Sequence, residues 1–146
     1  MKNALSRSYQ RGLSMIEVLV AVVIISLGLL GMAGLQASGM RTSQSAFYRA
    51  QAAQFTNDMA ERMRANLGDA RNYTLAMSAS APTGITVRDR DRADWLARLA
   101  TLPAGAGSIA VDLANNTVTI AVQWDDSRAG GAANANYTLM TRLWNN

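Results

Sequence analysis

Residues 10–36 read QRGLSMIEVLVAVVIISLGLLGMAGLQ. From Val18 to Met40 there are 23 residues without a charge and without a proline, and Glu17 stands at the near edge of that run, five positions after Gly12. At about 1.5 Å per residue the run makes a helix of about 35 Å, enough to cross a hydrocarbon core of about 30 Å. A charged side chain at the centre of such a core costs about 2.5–3.5 kcal/mol even on lenient insertion scales. Glu17 therefore needs either a place at the membrane surface or a charge to meet it.

The charge distribution around the run is uneven. Net charge is +4 over 146 residues. Lys2, Arg7 and Arg11 supply +3 of it, and from Leu13 onward 11 Arg face 10 acids. The pI of about 10.1 thus belongs largely to a short basic head. Nucleic-acid binding would need a basic patch on a folded body, so no nucleic-acid partner is expected. The basic residues precede the run, which places the N-terminus in the cytoplasm and the rest of the chain outside. With no Cys and no His, thiol chemistry, most zinc sites and the usual general base are absent. No nucleophile is paired with a base anywhere in the chain. An enzyme is not expected, and neither is a cofactor or metal.

A secretory signal peptide also starts basic and then turns apolar. Here the run is longer than an h-region of about 7–15 residues, a carboxylate opens it, and Leu35-Gln36-Ala37 is a poor cleavage site. A plain signal anchor in front of a periplasmic domain satisfies the same periodicity and remains an alternative on that ground.

The segment Arg11-Gly12-Leu13-Ser14-Met15-Ile16-Glu17 resembles the processing site of type IV pilins and pseudopilins. Those proteins carry a short basic leader, a Gly, an apolar residue (usually Phe), a small hydroxyl residue, two apolar residues and then Glu. The resemblance implies that prepilin peptidase cuts between Gly12 and Leu13 and methylates the new amino group of Leu13. Gly12 has no Cβ, which lets a catalytic groove approach the backbone. It also implies an assembly role for Glu17: in a filament its carboxylate meets the free amino terminus of a neighbouring subunit, which exists only after the cut. Gly28-Leu29-Leu30-Gly31-Met32-Ala33-Gly34-Leu35-Gln36 and Ala60-Glu61-Arg62-Met63-Arg64-Ala65-Asn66 resemble PilV-like minor pilins. The implied organisation is a leader over 1–12, a transmembrane and filament-core helix over 13–40, and a periplasmic globular domain over 41–146. The implied partners are prepilin peptidase, other minor pilins, the major pilin, a pilus-tip adhesin and the inner-membrane assembly platform.

The body's own pattern points to an α+β fold. Tyr48, Ala52, Phe55, Met59 and Met63 recur at steps of three and four, one apolar stripe on a helix that continues the first to about Asn66. Arg49, Gln54, Asp58, Glu61 and Arg62 fall mostly off that stripe and read as a solvated or subunit-facing side. Gly68 to Arg92 reads as a loop, with the alternating charges Arg88–Arg92 as a solvated turn. Trp95, Leu96, Leu99 and Leu102 read as a short helix over 93–102. Ile109, Val111 and Leu113, then Val118, Ile120, Val122 and Trp124, alternate as strands. Asn115-Asn116 between them accepts positive φ, so a hairpin is expected. Tyr137 to Trp144 reads as a last strand. The expected sheet has three to four antiparallel strands. Asp125-Asp126 could offer oxygens to Ca²⁺, but two carboxylates without further ligands read as a turn.

Four functions compete. The first is a PilV-like minor pilin that primes type IV pilus assembly and sits at or near the tip. The second is a minor pseudopilin of a type II secretion system. A DNA-uptake pilin ranks below both, because the body's basic residues are interleaved with Asp. The bland reading is the anchored periplasmic domain. Mass spectrometry of the N-terminal peptide separates the first two from the last: the expected chain starts at N-methylated Leu13, and Gly12→Val blocks the cut. A chain that starts at Met1 would contradict the processing reading.

Overall fold

A computed structural model describes residues 14–77 and 79–143. Gly12, Leu13 and Trp144 lie outside the described residues. Two helices and three strands follow one another: α1 (Met15–Ala65), α2 (Val87–Leu99), β1 (Ala106–Asp112), β2 (Thr117–Trp124) and β3 (Ala135–Arg142). The chain divides into two compact units at Gly39–Met40.

The described part of the first unit is the opening half of α1. It contains no buried residue. Its most apolar 18-residue stretch has a mean hydropathy of 2.7, long and apolar enough to cross a membrane. The polar side chain of Ser26 is satisfied within the helix, its hydroxyl donating to the Val22 carbonyl at 2.7 Å, which is how hydroxyls are accommodated where no water is at hand.

The second unit is built on the later half of α1. Ala52, Phe55, Met59 and Met63 are buried and Tyr48 packs against them, so the stripe spaced in the sequence is the core-facing one. Thr56 joins them, its hydroxyl satisfied by the Ala53 carbonyl at 2.9 Å. The sheet has the order β1-β2-β3, antiparallel throughout. Every second residue of β2, Val118, Ile120, Val122 and Trp124, is buried, as a strand with one face on a core requires. Leu75 pairs with Ile109 by two 2.9 Å backbone bonds and covers the outer edge of β1 at that point. The four-residue β1–β2 connection turns with Asn116 at φ 53°, as its Asn pair leads one to expect. This is the α+β arrangement anticipated above, with three strands among the described residues.

α2 differs from expectation. It begins at Val87, not Ala93, and ends at Leu99, with Leu102 buried in the turn that follows. The run Arg88–Arg92 is therefore helical and not a solvated turn. Its start is set by Thr86 as N-cap: the Thr86 hydroxyl accepts from the Asp89 amide at 3.1 Å and donates to the Asp89 carboxylate at 2.6 Å. A short polar residue followed three positions later by an acid is a known helix start, and Thr86…Asp89 was legible as one. Trp95 and Leu99 then face the core. The Trp95 indole donates to the Phe55 carbonyl at 3.0 Å, which joins α2 to α1. Gly107 on β1 sits beneath this contact; a Cβ there would overlap the Trp95 ring and the Leu99 side chain. Leu113 lies beyond β1 and is 58% exposed, and β3 begins two residues earlier than Tyr137.

On the charged side of α1, Arg49, Gln54 and Glu61 are exposed as the solvated or subunit-facing reading has it, whereas Asp58 and Arg62 are partly covered because α2 supplies partners for them. Arg62 bridges Asp58 at 3.0 Å and Asp91 at 3.2 Å, and Arg98 reaches Asp58 at 3.1 Å. Asn66 donates to the Tyr73 hydroxyl at 3.0 Å, and that hydroxyl donates to Asp91 at 2.6 Å. Burial, and after it the bond to Asp91, pushes the Tyr73 phenol up to about 12. The segment Ala60–Asn66 thus fastens the end of α1 to both the following turn and α2.

Asp89 makes a pH test. Hydrogen bonds from Thr86 and then Arg92 hold its carboxyl down to about 2. A depressed carboxyl stabilises the fold above the unfolded value near 4 and loses that contribution as pH falls towards 2. Urea midpoints of the full chain in detergent are expected to show Asp89→Asn less stable at neutral pH, but with a smaller loss between about pH 4 and pH 2. Parallel pH profiles for the two chains would contradict the assignment.

Candidate functional site

The candidate site is the opening of α1. The Ser14 carbonyl accepts from the Glu17 amide at 3.0 Å and the Val18 amide at 3.2 Å, which closes the first turn. Glu17 is the acidic residue of that turn and is exposed. A carboxylate is favoured there by the positive end of the helix dipole, worth about 0.3–1 kcal/mol. That is less than the cost of carrying the charge into hydrocarbon. The dipole alone does not settle Glu17.

The surface that follows is unpartnered within the chain. Exposure of the large apolar side chains runs from 48% at Val18 to 85% at Met15. Gly28, Gly31 and Gly34 recur every three residues, and a Cβ placed on any of them would meet nothing within 4 Å. Small residues at such spacing let helices approach closely in a membrane. A helix apolar on all sides is one that expects lipid or other helices around it.

Of the residues singled out in the sequence, Glu17 is thus placed in the first turn of α1, while Gly12 and Leu13 fall outside the described residues. The Asp125-Asp126 pair behaves as a turn. Asp125 accepts from the Ser127 amide at 2.9 Å, and the buried Asp126 accepts from the Ser45 hydroxyl at 2.6 Å. No group of three or more metal-ligating side chains occurs among the described residues. The Ser45–Asp126 bond is a contact that sequence reasoning missed; 81 positions separate the two residues, and no local pattern links them.

Residues 7–33 match the family described as the prokaryotic N-terminal methylation motif. No curated protein and no solved structure matches the chain. The matched stretch contains Gly12, Leu13 and Glu17. With the long apolar helix and the small antiparallel sheet behind it, the motif supports a type IV pilin-like protein. The motif indicates a structural protein and implies processing by a prepilin peptidase, and with the long apolar helix it suggests membrane anchoring.

Proposed function

We propose that this chain is a PilV-like minor pilin, which primes type IV pilus assembly at the inner membrane and remains at or near the pilus tip. One observation supports this most: a methylation motif, an acid in the first helical turn and an unburied apolar helix coincide within residues 7–40. Residues 1–12 are the leader, cut between Gly12 and Leu13, and Leu13 is the N-methylated residue of the mature chain. Residues 13–40 anchor the protein with its N-terminus cytoplasmic, and residues 41–146 form the periplasmic body.

In the bilayer, Glu17 lies about one turn from Leu13 and its side chain reaches the headgroups. In an assembling filament the headgroups are gone. The mature amino terminus of a neighbouring subunit then supplies the opposite charge, and the pair sets the axial register between subunits. Other minor pilins, the major pilin and a tip adhesin are the partners, brought together on the assembly platform.

Removing one member of a buried ion pair costs about 3–5 kcal/mol, whereas an exposed pair is worth about 0–1 kcal/mol. Glu17→Ala is therefore expected to leave processing and the body's fold unchanged while abolishing co-purification with the other minor pilins from detergent and lowering the pilus count. Glu17→Gln keeps size and hydrogen bonding and is expected to fail nearly as badly. Normal piliation and partner recovery in both variants would make Glu17 a merely interfacial residue and defeat the proposal.

A further inference from the structure

The body carries a basic groove that neither the core nor the N-terminal motif uses. Two adjoining hollows, of about 280 and 380 Å³, share Ala129 as a wall. Arg41 and Arg128 line the smaller, and Arg49 lines the larger. The lining contains no carboxylate. Five other arginines of the body, Arg62, Arg64, Arg88, Arg92 and Arg98, each reach an acid. Arg41 and Arg49 make no hydrogen bond or ion pair among the described residues. Arg128 has only a distant acid in Asp125, whose carboxyl is held below its usual value first by Ser127 and in smaller part by Arg128.

The wall that carries Arg128 is held in place. Asp126 is 1% exposed and receives the Ser45 hydroxyl from α1, while its carbonyl accepts the Ala129 and Gly131 amides at 3.0 and 2.9 Å. Gly130, at φ 86°, turns the chain back beside it. Three arginines thus line the two hollows, and the Asp126 carboxylate lies buried behind their wall, bonded to Ser45 and not exposed to the groove.

Position along the chain identifies the occupant. Arg41 follows Met40, the last residue of the uncharged run. With that run in the bilayer, Arg41 stands at the level of the phosphates. Arg49 follows eight residues later in α1, about two turns along the helix. Guanidinium groups bind phosphate by paired hydrogen bonds.

We propose that the groove seats the headgroup of an anionic phospholipid from the leaflet next to the body, so that the body docks on the membrane until the subunit is extracted. This rests on the membrane-anchored reading of residues 13–40 but not on the identity of the pilus. Arg49 and Arg128 are what distinguish it from the weak lipid preference of any single arginine beside a membrane span.

Native mass spectrometry of the full chain in detergent tests it, with equal amounts of phosphatidylglycerol and phosphatidylcholine added. The expected result is preferential retention of phosphatidylglycerol, falling about fivefold for each arginine removed, so about 25-fold in Arg49→Gln/Arg128→Gln. Arg90→Gln, an exposed arginine that does not line the groove, is expected to change nothing. Equal retention of both lipids, or an unchanged preference in the double variant, would overturn the proposal and leave the groove to an acidic protein surface. Displacement of phosphatidylglycerol by millimolar inorganic phosphate would overturn it in favour of a free-phosphate site. The intact mass in the same spectra reports the processing state, so a failure of the leader assignment is read separately from a failure of the groove.

Discussion

A carboxylate at the mouth of an uncharged helix sets the terms for this protein. Glu17 opens α1 and 23 residues without a charge follow it. Helix geometry gives it a mild electrostatic benefit, and hydrocarbon imposes a larger cost. The side chain is therefore cheap at a membrane surface and expensive in a packed bundle unless a cation comes with the neighbour. A cleaved and methylated amino terminus is such a cation, and the methylation motif over residues 7–33 falls on the stretch where that terminus would arise. The unburied glycines Gly28, Gly31 and Gly34 fit the same requirement, because a helix that moves from lipid to other helices needs faces that close at short range.

The second unit imposes a different constraint, since α1 must also organise a small core. A body of about 100 residues buries a smaller fraction of its surface than a large domain does. The body compensates with aromatic anchors and a polar lattice. Trp95 hydrogen-bonds the α1 backbone at Phe55, and Trp124 closes the β2 face of the core. Arg62, Asp91, Tyr73 and Asn66 join the end of α1 to α2 across three separate segments. Single exposed ion pairs contribute little, but this set is partly buried and shares partners, so Arg62, Asp91 and Tyr73 are each fixed by more than one contact.

Much of this was legible in the residue pattern, and the failures have physical reasons. The α1 stripe from Tyr48 to Met63 and the alternation in β2 are periodic, and burial follows period. Asn116 adopts positive φ because Asn tolerates it. The start of α2 was misplaced by six residues because five alternating charges look like a solvated turn, whereas the deciding signal was a two-residue capping interaction between Thr86 and Asp89. The partners of Asp58 and Arg62 on the charged side of α1 are not legible, because one helix does not reveal which neighbour will cover it. The Arg41–Arg49–Arg128 groove was invisible for a related reason: it depends on a turn 79 or more positions away, placed by the buried Asp126. At the N-terminal site the motif is readable from sequence because the spacing of a few residues defines it.

The assembly role of Glu17 depends on its meeting a neighbour's amino terminus. From Leu13 onward the chain contains no lysine, so a mature subunit offers one amine, its own terminus. Carbodiimide treatment of assembled complexes joins carboxylates only to amines already in contact with them. Peptide mass spectrometry is expected to recover the Glu17 peptide of this chain amide-linked to the N-terminal peptide of a different subunit. Recovery of Glu17 unlinked in intact assemblies, or joined only to the terminus of its own chain, would contradict it.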